Sequence, residues 1–132
     1  MNQVVARFLD GTTLKGQTND FLPAKELFHV HAADAGPGSK PVEVRVPTLK
    51  ALYFVRNLAG DSEHRDTNEF PPFTPSSGRR VEVTFKDGEV MAGITQGYQP
   101  GRPGFFIVPA DPLSNNERCF IVASSTSAVK LL

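Results

Sequence analysis

The chain has 132 residues with 14 Lys+Arg against 14 Asp+Glu, so no overall basic field draws it to nucleic acid or to an anionic membrane surface. Its single cysteine, Cys119, excludes an intramolecular disulfide and a multi-cysteine zinc site, and its longest apolar run, Ala51-Leu52-Tyr53-Phe54-Val55, is far too short to span a bilayer. With 11 Gly and 11 Pro, and Phe as the dominant aromatic, the composition suits an all-β chain rich in turns.

Met1-Asn2-Gln3 enters the first strand without a charged-then-apolar leader, so no signal peptide is expected and a reducing cytoplasm is the expected location. Gln3 to Leu9 alternates and is β-rich, Asp10-Gly11 turns the chain, and Thr12 to Thr18 returns. A two-residue turn would set Thr13, Lys15 and Gln17 on the face of Val4, Ala6 and Phe8. A three-residue loop, Leu9-Asp10-Gly11 with Gly11 left-handed, sets Leu14 and Gly16 there instead, and only this choice leaves one clean apolar face. Gly16 falls mid-strand, where glycine marks a sharp bend or a close backbone approach.

Strands are expected next at Leu27–Ala32, Val42–Val46 and Lys50–Val55. The segment 57–79 then reads as a polar, semi-rigid spacer ending in Phe70-Pro71-Pro72-Phe73-Thr74-Pro75, whose two phenylalanines are expected to dock. Beyond it the pattern recurs. Val81-Glu82-Val83-Thr84-Phe85-Lys86-Asp87-Gly88 matches Val4 to Gly11 at an offset of 77 (81 − 4), and the match runs without a gap to Ala51/Ala128. Asp87-Gly88 repeats the hairpin, Gly93 repeats the bend glycine, and strands are expected at Gly104–Pro109, Cys119–Ala123 and Ser127–Leu132. Such a repeat divides the chain into a first small β-barrel (1–56), a Pro-containing linker (57–79) and a second small β-barrel (80–132).

Five strands, an x-Asp-Gly-x turn, a bend glycine five residues later, and an ending of the form Cys119-Phe120-Ile121-Val122, short polar turn, Ala128-Val129-Lys130-Leu131 together resemble the Sm-like fold, a small SH3-like barrel. The resemblance implies an all-β architecture of two tandem five-stranded barrels related by internal duplication. The loops after the bent strands carry Pro23 and Pro100 and offer no Asn matching the Asp and Met-Asn-type pair of RNA-binding Sm-like proteins, so the RNA function is not carried over. The two-copy arrangement, with Arg102-Pro103-Gly104-Phe105-Phe106 and Ala110-Asp111-Pro112, is similar to an uncharacterised bacterial domain family of unknown function.

The two copies differ on their outward positions. Thr13, Lys15, Gln17, His29, His31, Glu43 and Arg45 in the first align with Val90, Ala92, Ile94, Phe106, Val108, Phe120 and Val122 in the second. A sheet apolar on both faces must be covered. Burying those seven side chains is worth about 10 kcal/mol at 1.5 kcal/mol each. The second copy's outer face is therefore a candidate interface, with the first barrel, the 70–73 segment or a second chain (a homodimer) as its cover. The first copy's outer face, with Arg7, Lys15, His29, His31 and Arg45, is a candidate ligand or partner face that competes with an ordinary solvated strand surface.

Catalytic constellations are missing. His29-Val30-His31 places two imidazoles on one side of a strand, with Asp34 or His64 as conceivable third ligands, but exposed histidines are the expected outcome and no metal site is assigned. Cys119 reads as a buried structural thiol. Asp10, Asp20, Asp34, Asp87 and Asp111 read as turn residues, and Asn115-Asn116-Glu117-Arg118 as a turn. Arg79-Arg80 resembles the paired arginines that lead into PilZ-type barrels and hold a cyclic dinucleotide, without the Asp-x-Ser motif that accompanies them. The expectation is a non-enzymatic binding or regulatory module without cofactor, membrane span or catalytic residues. Its partner is a protein or a second copy, with nucleic-acid or nucleotide binding through the basic face as the alternative.

Overall fold

The computed structural model describes residues 1–36, 38–60, 63–71 and 78–132. Over these the chain is all-β, with strands β1 (Asn2–Phe8), β2 (Thr13–Thr18), β3 (Leu27–Ala32), β4 (Val42–Arg45), β5 (Leu49–Val55), β6 (Arg79–Phe85), β7 (Val90–Thr95), β8 (Gly104–Pro109), β9 (Asn116–Val122) and β10 (Thr126–Leu131). One 3-10 turn precedes β5 and another precedes β10. The strands form one ten-stranded antiparallel sheet in the order β10-β6-β7-β8-β9-β5-β1-β2-β3-β4. No helix of the described residues is long and apolar enough to cross a membrane.

The Asp-Gly hairpins set the register. Phe8 N–H donates to Thr12 C=O at 2.9 Å, which leaves Leu9-Asp10-Gly11 as the loop, with Gly11 at φ 91° and the Asp10 carboxylate accepting the Thr12 N–H at 2.9 Å. Phe85, Glu89 and Gly88 (φ 94°) repeat this, the Phe85 N–H bond measuring 2.8 Å. Val4 pairs with Gly16 and Val81 with Gly93, the same register displaced by 77 (81 − 4, 93 − 16). Both glycines lie where the next strand's backbone crosses. A Cβ on Gly16 would overlap the His31 carbonyl oxygen, and one on Gly93 that of Val108. One turn further on, buried Thr18 donates to His29 C=O (2.7 Å) and buried Thr95 to Phe106 C=O (2.9 Å).

β5 is the strand that joins the halves. It pairs with β1 on one edge and with β9, the fourth strand of the second half, on the other. Every residue of it is buried. Leu49, Leu52 and Phe54 enter a core with Val4, Ala6, Phe28, Val30, Val44 and Val46, and that core is completed by Phe120 and Val122 of β9 with Phe106 packed against it. Ala51, Tyr53 and Val55 face the other way, into a core with Val81, Val83, Phe85, Phe105, Ile107, Cys119 and Ile121. Neither core is built from one half alone.

The expected turn at residues 115–118 is a strand over most of its length. Asn116 and Arg118 belong to β9, opposite Val55 and Phe54. Arg118 is held there by stacking, its guanidinium lying 4.2 Å from the Phe54 ring centre and 4.7 Å from that of Phe106. Those two rings belong to an aromatic cluster with Phe21 and Phe120, and Arg118 itself stays exposed. Phe70 meets the Arg80 guanidinium at 4.7 Å. Phe73 lies outside the described residues.

Candidate binding site

Arg7 of β1 and Lys15 of β2 line a cleft of about 330 Å³ between the halves, together with Tyr53, Asn68 and Glu89. The cleft exists because β1 and β2 flank β5 on one side while the second hairpin and the 66–68 segment approach from the other. Lys15 Nζ donates to Leu58 C=O at 3.0 Å. Tyr53 reaches the cleft from the second core, and burial pushes its hydroxyl well above its ordinary pKa, so it stays protonated.

The other residues of the expected basic face have local partners or stand apart. His29 Nδ1 lies 2.7 Å from Asp20 Oδ2, and Asp20 Oδ1 accepts the His29 N–H at 2.9 Å. Burial opposes charge on Asp20, but these bonds and the Thr18 hydroxyl outweigh it and hold the carboxyl below its usual range. Arg45 pairs with Glu43 at 3.1 Å on edge strand β4. His31 is exposed. Only Arg7 and Lys15 of the five share the cleft.

The apolar set of the second copy divides three ways. Phe120 and Val122 are buried, and Phe106 packed, in the core shared with the first half. Ala92 is buried where the 63–69 segment crosses, and Ile94 is half-buried. Val90 and Val108 remain 40% and 54% exposed.

Three arrangements had weak or no sequence signals. Lys50 is 6% exposed, with Nζ 2.7 Å from Asp87 Oδ2, bonded also to the Glu89 carboxylate, and 4.6 Å from the Phe85 ring centre. The Lys50 bond and the Glu89 N–H lower the Asp87 pKa. A lone cation within an apolar run on both faces was the available clue. Ser125, also buried, has its hydroxyl 2.8 Å from Lys50 C=O and 2.7 Å from Val122 C=O, and its single proton can go to either.

The third arrangement fastens the segment 63–69. Asp111 Oδ2 lies 2.9 Å from His64 Nε2 and accepts the Thr67 N–H at 3.1 Å, while Asp111 Oδ1 accepts the Leu113 N–H at 2.8 Å. The Leu113 bond leads the causes that hold the Asp111 carboxyl below its usual range against burial. His64 also meets Asp66 at 3.2 Å, and Asp66 accepts the Ser114 hydroxyl at 2.7 Å. One ligand atom from each of His64, Asp66 and Asp111 lies within 4.8 Å of the others, so these are the residues that could hold a cation; their hydrogen bonds already make them a latch. His64 is thus committed here and not beside His29. Asn68 completes the fastening, its Oδ1 accepting the Ala92 N–H at 3.1 Å and its Nδ2 donating to Val90 C=O at 3.0 Å. Cys119 is fully buried, and burial raises its thiol pKa, so the reactive thiolate is disfavoured.

A family model matches the whole chain, residues 1–132. The chain belongs to the DUF6982 family, a family of unknown function. No curated protein and no solved structure matches it.

Proposed function

We propose that this chain is a non-enzymatic binding module, built of two small Sm-like barrels fused through β5 and β9, whose first half presents the binding surface to a protein partner. The observation that carries the reading is the unequal use of the two outer faces. Phe106, Phe120 and Val122 are spent on the shared core and Ala92 lies beneath the 63–69 segment, whereas Arg7, Lys15 and His31 remain exposed. A cleft carrying Arg7 and Lys15 on one wall and Glu89 on the other suits a polar, locally charged ligand segment. Nucleotide or nucleic-acid binding is the second reading. It draws on the same two cations, and the pairing of His29 with Asp20 and of Arg45 with Glu43 weighs against it.

The test uses the full chain and the double variant Arg7→Glu/Lys15→Glu. A specific protein partner retained by the parent and lost by the variant, at an unchanged melting profile, supports the module. Retention by both removes the surface from consideration. RNA or nucleotide binding whose affinity falls steeply with salt selects the second reading.

A further inference from the structure

The β2 edge of the first half repeats the β7 edge on which the chain's own 63–69 segment is fastened. In the second half the receiving site has three parts: Val90 C=O, Ala92 N–H and the Asp111 carboxylate. The chain's own segment fills it, with the Asn68 amide bridging the two β7 backbone groups and the Thr67 N–H and His64 ring capping Asp111. An offset of 77 places the counterparts at Thr13 (90 − 77), Lys15 (92 − 77) and Asp34 (111 − 77). The backbone is built alike up to these loops, since Ala110 N–H donates to Ala92 C=O at 3.0 Å and Ala33 N–H to Lys15 C=O at 2.9 Å; beyond them the turns differ, Ala35 N–H closing on Ala32 C=O and Ser114 N–H on Asp111 C=O.

The Phe8–Thr12 bond fixes the parity of the first hairpin so that Thr13 and Lys15 turn their N–H and C=O groups away from β1. Among the described residues nothing accepts the Lys15 N–H, donates to Thr13 C=O or bonds the Asp34 carboxylate, and all three residues are exposed. The chain has one 63–69 segment and two such edges.

We infer that the edge of β2, with Thr13 C=O, Lys15 N–H and the Asp34 carboxylate, receives an extended peptide from a protein partner, held by a side-chain amide and by the main-chain N–H that precedes it. Edge addition of this kind takes its affinity from main-chain and amide hydrogen bonds and its selectivity from neighbouring charges. Those charges differ between the halves: Arg7 and Lys15 stand where the second half has Thr84 and Ala92. The peptide therefore carries acidic residues near its Asn to match these two cations. This inference deepens the reading of the first half as the binding half and rests on it.

The probe is a synthetic peptide of residues 63–70, titrated into the full ¹⁵N-labelled chain. The expected result is saturable shifts at Thr13–Lys15 and Asp34, weakened about tenfold by Asp34→Ala in the protein and by Asn→Ala at the peptide's position 68, as loss of a charge-assisted or paired hydrogen bond requires. Shifts confined to Val90–Ala92 and Asp111, meaning displacement of the chain's own segment, overturn it, and so does no shift at millimolar peptide. A partner lost on Arg7→Glu/Lys15→Glu but kept by Asp34→Ala overturns the edge site while leaving the binding-module reading in place.

Discussion

Lys50 and the carboxylates around it divide their burden unevenly. The ammonium is buried and the Asp87 and Glu89 side chains are 56% and 44% exposed, so removing the acids strands a buried charge, whereas removing the lysine leaves two carboxylates that water already reaches. Lys50→Met should stay within about 1 kcal/mol of the parent in urea unfolding, because an unbranched apolar chain fills the same space over Phe85. Asp87→Asn/Glu89→Gln should lower the urea midpoint clearly more than Lys50→Met; the reverse order would show that the lysine is not desolvated. Asp111 supplies a pH dependence. Its folded pKa is depressed, so its contribution is complete above the ordinary carboxylate value and is lost as pH falls below about 4. The protection factor of the Thr67 amide should fall over that acid range in the parent, and Asp111→Asn should lower it already at neutral pH.

At the scale of the element, β5 and the bent strands carry the argument. The pattern of the hairpins was legible because it is local: side-chain alternation, an Asp-Gly turn and a mid-strand glycine constrain faces within a dozen residues. Gly16→Ala and Gly93→Ala should each cost about 1–3 kcal/mol, since a methyl group would meet a backbone carbonyl that cannot move without breaking the neighbouring ladder. The role of β5 was only half legible. Its apolar run marked a strand, but nothing local said that both of its faces are buried or that the second belongs to the other half. Asn116–Arg118 was misread for the same reason, because a polar tripeptide becomes strand only when β5 offers it a partner and Phe54 a surface on which Arg118 can stack.

For the molecule as a whole, a first core that includes Phe120 and Val122 couples the two halves. Phe120→Ala should cost about 3–5 kcal/mol and destabilise both halves together, in a single calorimetric transition. Two transitions, with only the second-half residues losing exchange protection, would show that the cores are independent. The β5–β9 junction is head-to-tail, so its repetition would add β10 of one molecule to β4 of the next. The edges resist this. Pro41 stands where β9 has Arg118 (118 − 77) and removes an edge donor, while Glu43 and Arg45 replace the buried Phe120 and Val122. Glu43→Phe/Arg45→Val should therefore sediment as concentration-dependent larger species under conditions where the parent does not.

By itself the sequence determined the all-β class, the two hairpins, the bend glycines and the inequality of the two outer faces, because each depends on periodicity or on one residue's backbone preference. Tertiary structure decided what covers the apolar face, why Lys50 is tolerated inside, and that Asp111 and Asn68 fasten the linker. Those contacts join residues 24 to 58 positions or more apart, and their energies depend on which groups are desolvated together. The repeat gives both halves the same hairpin edge; only the tertiary structure shows the 63–69 segment fastened along β7 and to Asp111.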